Sequence, residues 1–274
     1  MPKNETIIHS LASVHPEARL DTGVHIGPYS LIGKRVSIGK HTWIDAHVSI
    51  QGVTSIGKNC RFSPFSSLGT EPQDVTYKGE ETALRIGNDN IFREFIVINR
   101  GTLKGGGVTS IGDHNYFMAH SHVAHDCQVG SETIFLHAAI LGGHVIVEDY
   151  ATVGASSGIH QFCRIGRYAY IGGYSVITQD IVPFSLVVGG RPTQFLGVNA
   201  VGLRRKGFSR ERIKAIKEIF NLIFYSNLNT TQALIRIKDE LPLSGDREEI
   251  FNFIQSSKRG FVKKTNSKWQ NGSE

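Results

Sequence analysis

Residues 24–50 read VHIGPYSLIGKRVSIGKHTWIDAHVSI. An isoleucine recurs every six residues, at Ile26, Ile32, Ile38, Ile44 and Ile50. The phase extends back to Leu20, Val14 and Ile8 and forward to Ile56, Phe62 and Leu68. All eleven positions are apolar in a chain with 40% hydrophobic residues. Such a run arises by chance roughly once in twenty thousand trials, so a repeat is the first thing to establish. It returns at Ile86, Phe92 and Ile98, and again from Ile111 to Ile177, for 26 phased hexads in all. Four residues after the aliphatic comes something small or β-branched, such as Val24, Ser30, Val36, Thr42, Cys60, Ser121, Cys127 and Cys163. One large and one small inward position per six residues suit short strands joined by tight turns. Glycine often follows the aliphatic, and Gly, Asn or Asp is expected to supply the unusual backbone angles of those turns.

This spacing resembles the hexapeptide repeat of the left-handed parallel β-helix, in which three hexads make an 18-residue coil. The resemblance implies over eight coils stacked at the strand spacing, a prism roughly 40 Å long. The expected fold is therefore mainly β, a left-handed parallel β-helix over 1–198, with loops inserted near 70–84 and 102–108. After Ile177 the pattern changes. Ser209 reads as a helix cap before Ile213, Ile216, Phe220 and Ile223 at helical spacing. Thr230 or Thr231 starts a second helix and Asp246 a third, so 199–262 is expected to be a small helical domain. A polar tail, 263–274, is expected to be disordered.

The 274 residues suffice for one large domain or two ordinary ones. No stretch reaches the roughly 20 apolar residues of a membrane span, and the start MPKNETIIHS lacks a signal-peptide layout. A cytoplasmic protein is expected. The three cysteines all fall on the small inward phase, so they read as core fillers rather than nucleophiles or metal ligands. CxxC and HExxH are absent, and Gly105-Gly106-Gly107 is not followed by the Lys-Ser/Thr of a phosphate loop, so it reads as a turn between hexads. Charge is uneven: from Asn199 onward 15 Lys/Arg face 8 Asp/Glu, whereas residues 1–198 hold 15 and 16. That basic quarter is either a solvated helical surface or a site for an acidic or phosphate-bearing partner.

Twelve histidines occur, none after His160. With 18 residues per coil, His125, Gly143 and Gln161 form one column, and Asp126, His144 and Phe162 the next. None is at an inward phase, so a polar patch is expected to face outward over about two coils. It reads as a general base beside a carboxylate that orients it, with Gly143 allowing close approach of a ligand to the backbone. Scattered surface histidines, such as His9, His15, His25, His41 and His47, are the alternative. A histidine metal site like that of β-helical carbonic anhydrases is another.

The segments His122–Cys127, Gly142-Gly143-His144 and His160–Cys163 resemble bacterial UDP-N-acetylglucosamine O-acyltransferases. Gln73-Asp74, Arg100-Gly101-Thr102, Gly105–Gly107, Gly197-Val198-Asn199 and Arg205–Ser209 extend the match over nearly the whole chain. The resemblance implies a homotrimer with clefts between prisms. It implies transfer of an (R)-3-hydroxyacyl chain from acyl carrier protein to the glucosamine 3-position, the start of lipid A synthesis. His125 is the implied general base, Asp126 its partner, and the Gly143 N–H the oxyanion donor. Attack is direct, with no acyl-enzyme. Gln73, Asp74, His122, His144, His160 and Gln161 are implied to line the sugar, acyl and pantetheine regions, and Asn199 and Arg205 the nucleotide end. Gly173 matches a position that limits acyl length, and glycine there implies a longer chain. The basic Arg204-Arg205-Lys206 and Arg210/Arg212 region suits an acidic carrier protein. No cofactor, metal, nucleic acid or integral membrane segment is implied. Departures are Asn99 for a common His, Thr76 for a common Lys, Arg191 for a His and Val201 for an acidic residue. The alternatives are an N-acyltransferase acting on a 3-amino sugar, the later N-acylation of the same pathway, and a structural or binding β-helix. The later N-acyltransferase usually has an N-terminal uridine-binding domain, for which hexads beginning at Ile8 leave no room.

Overall fold

The computed structural model describes residues 5–264; from residue 265 onward the expected tail lies outside the described residues. Each of the 26 phased apolar residues sits in one of the first 26 strands, from Ile7–Ile8 to Val176–Ile177. These strands form three parallel sheets, the three faces of a left-handed β-helix. The first face starts at Ile7–Ile8, the second at Ser13–Val14 and the third at Arg19–Leu20. Register confirms the coil: Ile8 pairs with Ile26, Ile26 with Ile44 and Ile44 with Phe62, eighteen apart each time. Phe62 then pairs with Phe92, and Phe92 with Phe117. Those coils are thus longer by twelve and seven residues, and they carry the two inserted loops.

The large inward residues make one continuous core, in which Phe62, Phe92, Phe117 and Phe135 stack at 4.7, 4.8 and 4.4 Å. The small inward residues are buried too, and their hydroxyls bind the corners. Ser30 Oγ donates to Asp45 O and accepts from Val48 N–H, so turn backbone that would lie unpaired inside is satisfied. The cysteines are buried and free; burial pushes the thiols of Cys60 and Cys163 up to about 11 and that of Cys127 to about 12.

The turns differ from expectation. Asn59, Asp89 and Asp126 take the left-handed backbone as expected, but at most corners it is carried not by the glycine after each strand but by bulkier residues such as Tyr29, His47, Phe65, His144 and Phe162. Stacking between coils holds them: Tyr29 on His47 and His47 on Phe65, both at 5.0 Å. The post-strand glycines serve close approach instead. A Cβ on Gly27 would lie 2.7 Å from Asp45 C, and one on Gly39 2.7 Å from Gly57 C.

Beyond the prism, Ser185–Val188 continues the first face and pairs antiparallel with Gln194–Val198. Four helices follow: α1 (Ala200–Arg205), α2 (Arg210–Phe220), α3 (Thr230–Glu240) and α4 (Gly245–Ser256), with a π-helical turn, Asn221–Tyr225, after α2. Ser209 caps α2 by accepting from Arg212 N–H, and Asn229 and Gln232 form a capping box on α3. The helices close the end of the prism. Asp180 accepts from Arg164 N–H and Ser257 Oγ, while Val262 N–H donates to its carbonyl. No helix of the described residues is long and apolar enough to cross a membrane.

Candidate active site

Both inserted loops leave the prism at the same corner, between the second and third faces. The first joins strand Ser67–Thr70 to Ala83–Ile86, and the second joins Val97–Asn99 to Val108–Ile111. The next turn along this corner is Ala124–Cys127, which carries His125 and Asp126. His144 N–H donates to His125 O and Phe162 N–H to Gly143 O, so the columns inferred from the 18-residue coil stand as neighbours.

His125 Nδ1 lies 2.8 Å from Asp126 Oδ2. A carboxylate only accepts, so in the neutral imidazole facing it Nδ1 carries the proton and Nε2 presents a lone pair. His144 Nε2 lies 3.6 Å from the same oxygen, and its ring stacks on Phe162 at 4.4 Å. Burial lowers the His144 pKa despite the Asp126 charge, and also lowers that of His122, half-buried on the adjoining strand. Gly143 packs against the catalytic candidate: a Cβ there would lie 2.6 Å from His125 Cε1 and 2.8 Å from Nε2. The amides of Gly142 and His144 bond Ile159 O and His125 O, while that of Gly143 has no partner among the described residues.

Asp126 departs from the expected outward-facing patch, because its side chain is fully buried. The glycine-rich loop covers it. Thr102 N–H donates to Oδ1 and Thr102 Oγ1 to Oδ2, each at 2.7 Å. Asp126 N–H in turn donates to Thr109 Oγ1 at 2.8 Å. The spacing of Thr102 in the sequence offers no signal of this, since the loop is aperiodic.

The first loop brings Asp74 toward the same place. Its Oδ1 accepts from Thr76 N–H and Thr76 Oγ1, both at 2.8 Å, and these bonds lower its pKa, with smaller contributions from Lys104 and His125. Lys104 Nζ, on the second loop, donates to Thr76 Oγ1 at 2.6 Å, which ties the loops together. Asn99 anchors the first loop through Nδ2 to Thr70 Oγ1 and Glu71 O. Gln73 is exposed, as are His160 and Gln161 one coil beyond Gly143.

Other candidates lie elsewhere. Gly173, next to Tyr174, is at the corner between the first and second faces, where it is exposed. Asn199 and Arg205 lie by the corner between the third and first faces. Asn199 caps α1, accepting from Gly202 N–H and donating to Tyr168 O. Arg205 is exposed, and so are Arg204 and Lys206. Lys206 pairs with Glu132 at 3.1 Å, and Arg212 forks onto Asp246 at 2.7 Å and stacks over Phe208.

His125, Asp126 and His144 also offer three atoms within 4.8 Å, a set able to ligate a metal. In a tetrahedral zinc site, bonds near 2.0 Å separate ligand atoms by about 3.3 Å. The 2.8 Å between His125 and Asp126 is a hydrogen-bond distance, and the shared oxygen already accepts from Thr102. The arrangement is a hydrogen-bonded dyad that can take a proton at Nε2 beside a free amide.

A β-helix with such a dyad on a loop-walled corner has the outline of a hexapeptide-repeat acyltransferase. The model of the family described as Udp N-acetylglucosamine O-acyltransferase, Domain 2, matches residues 180–262. The acyl-[acyl-carrier-protein]--UDP-N-acetylglucosamine O-acyltransferase of Alkalilimnicola ehrlichii is 47% identical over 94% of this chain and 100% of its own length. That of Thermodesulfovibrio yellowstonii is 44% identical over 93% and 99%. The solved structure of LpxA from Acinetobacter baumannii superposes with a TM-score of 0.91 at 42% identity, covering 93% of this chain and 99% of that one. The chain belongs to the UDP-N-acetylglucosamine O-acyltransferase family and is an acyltransferase.

Proposed function

We propose that the chain transfers an (R)-3-hydroxyacyl group from acyl carrier protein to the 3-hydroxyl of UDP-N-acetylglucosamine, the first step of lipid A synthesis. The His125–Asp126 dyad facing the Gly143 amide carries this reading. His125 Nε2 takes the proton of the sugar hydroxyl as its oxygen attacks the thioester carbon. Asp126 orients the ring and stabilises its charged form. The Gly143 N–H donates to the oxyanion. As the carbonyl reforms, the C–S bond breaks and the proton passes from His125 to the departing thiolate of the carrier. The nucleophile is the substrate's own, in keeping with thiols that are buried and held protonated.

Gln73, Asp74, His122, His144, His160 and Gln161 line the sugar, acyl and pantetheine regions in this reading, and Asn199 and Arg205 meet the nucleotide. Gly173 leaves room for a longer acyl chain. These groups occupy three different corners of one prism, so a single copy does not assemble them. That separation supports a homotrimer with clefts between neighbouring copies. The exposed Arg204-Arg205-Lys206 surface suits the acidic carrier protein, and a cytoplasmic location fits these soluble substrates.

The test is acyl transfer, read by mass, with UDP-N-acetylglucosamine and a panel of 3-hydroxyacyl carriers. Wild type transfers, and His125→Ala loses about 10²–10⁴-fold in rate. The preferred carrier gives the acyl length. Transfer only to the 3-amino analogue overturns the acceptor, and transfer to neither overturns the enzymatic reading.

A further inference from the structure

The dyad has a rival within it. Oδ2 of Asp126 lies 2.8 Å from His125 Nδ1 and 3.6 Å from His144 Nε2, so one carboxylate faces two imidazoles. What fixes its choice is the second inserted loop. Thr102 holds both carboxylate oxygens, through its N–H to Oδ1 and its hydroxyl to Oδ2. Two bonds from one residue lock the carboxylate's rotation about Cβ–Cγ. Gly105 closes over the same group, and a Cβ there would run into the Asp126 carboxyl carbon. Thr102 Oγ1 also accepts from Gly105 N–H at 3.3 Å, so the loop is folded on the residue it delivers.

We infer that Thr102, held in place by the glycine turn, is a positioning residue that commits Asp126 to His125 rather than His144. The inference rests on His125 being the general base. Without the hydroxyl, Oδ2 loses a donor and the carboxylate is free to swing toward His144 Nε2. His125 then loses the partner that sets its tautomer, and its basicity changes.

The experiment compares Thr102→Val, which keeps the branch and the N–H, with Thr102→Ser, which keeps the hydroxyl. The complete enzyme is assayed with both substrates varied over a pH series. In Thr102→Val, kcat falls about tenfold or more, as expected for a lost hydrogen bond to a charged group. KM for each substrate stays within about twofold, and the acid limb of kcat/KM moves. Thr102→Ser recovers kcat to within about threefold and restores the limb. Added to His125→Ala, Thr102→Val costs less than about twofold, because its route is already gone. If the valine variant does not fold, Thr102→Ala takes its place in the same comparison. A hydroxyl-free variant with wild-type kcat and acid limb overturns the inference. So does a serine variant as damaged as the valine one, or a loss that adds fully to that of His125→Ala. Full activity in His125→Ala alone overturns the base assignment beneath it, which separates the two failures.

Discussion

Gly143→Ala puts the pairing of His125 with the next coil to a direct test. Gly143 is not among the left-handed glycines, so alanine meets no backbone strain there. The added Cβ would lie 2.6, 2.8 and 3.1 Å from Cε1, Nε2 and Nδ1 of His125. Ordinary contact between such atoms is about 3.5–4.0 Å, so the ring must retreat by about 1 Å. It cannot do so freely, because Nδ1 is tethered at 2.8 Å to an Asp126 that Thr102 holds still. A displacement of about 1 Å in a catalytic group costs on the order of 10²-fold in rate. The side chain that must yield is partly exposed, so melting changes by only a few degrees. The assay is steady-state acyl transfer at saturating substrates, with thermal melting on the same preparation. A kcat within threefold of wild type, with an unchanged pH profile, would refute the coupling of Gly143 to His125.

Phe117→Ala removes the third ring of the buried stack, and a loss of about 3–5 kcal/mol follows from the cavity left behind. Melting should fall by on the order of 10 °C, and an unchanged melting temperature would contradict a continuous phenyl core. Glu249, on α4, is pushed up to about 7 chiefly by burial, with Glu148 and Asp246 adding to the shift and Arg167 and Arg212 opposing it. The folded protein thus holds this proton more tightly than the unfolded chain does. Its contribution is complete below the ordinary value of 4.5 and is lost as the pH rises to about 7. Glu249→Gln should therefore be more stable than wild type at pH 8, with the advantage shrinking toward pH 5, as read by urea unfolding. A constant difference across that range would exclude the proton linkage.

The prism was legible because its information is local and repeated. Every six residues pose the same packing problem, so Ile8 to Ile177 announce their strands one by one. The helix that begins at Arg210 is legible for a similar reason, from the apolar spacing of Ile213, Ile216 and Phe220, whereas those at Thr230 and Gly245 are marked by their starting residues, the last one residue before the expected Asp246. The antiparallel pair Ser185–Val188 and Gln194–Val198, and the six-residue α1, are single short elements with no period. The corner glycines were misjudged because chain-to-chain approach and left-handed backbone both favour glycine, and the sequence alone does not separate them. At the site, counting 18 residues brought His125, Gly143 and His144 together. It gave no sign of the cover on Asp126, since Thr102 reaches Asp126 from an aperiodic insertion. Nor did any sequence signal mark Asn199 as the cap of α1, its amide donating to Tyr168 O and accepting from Gly202 N–H.

The two insertions show why the fold admits such a site. Each coil pairs only with the coils before and after it, so extra residues at a corner leave the ladders intact. The phenyl stack passes both insertions without a gap, at 4.7 Å from Phe62 to Phe92 and 4.8 Å from Phe92 to Phe117. Twelve residues at one corner and seven at the same corner of the next coil therefore cost mainly loop entropy, which grows slowly with length. Because both loops leave on neighbouring coils, they meet, through Lys104 and Thr76. The wall they form stands over the next turn, which is where Asp126 lies. A repeat built from identical corners thus acquires one corner that differs, and the buried carboxylate is a consequence of where the loops were inserted rather than of the hexad that carries it.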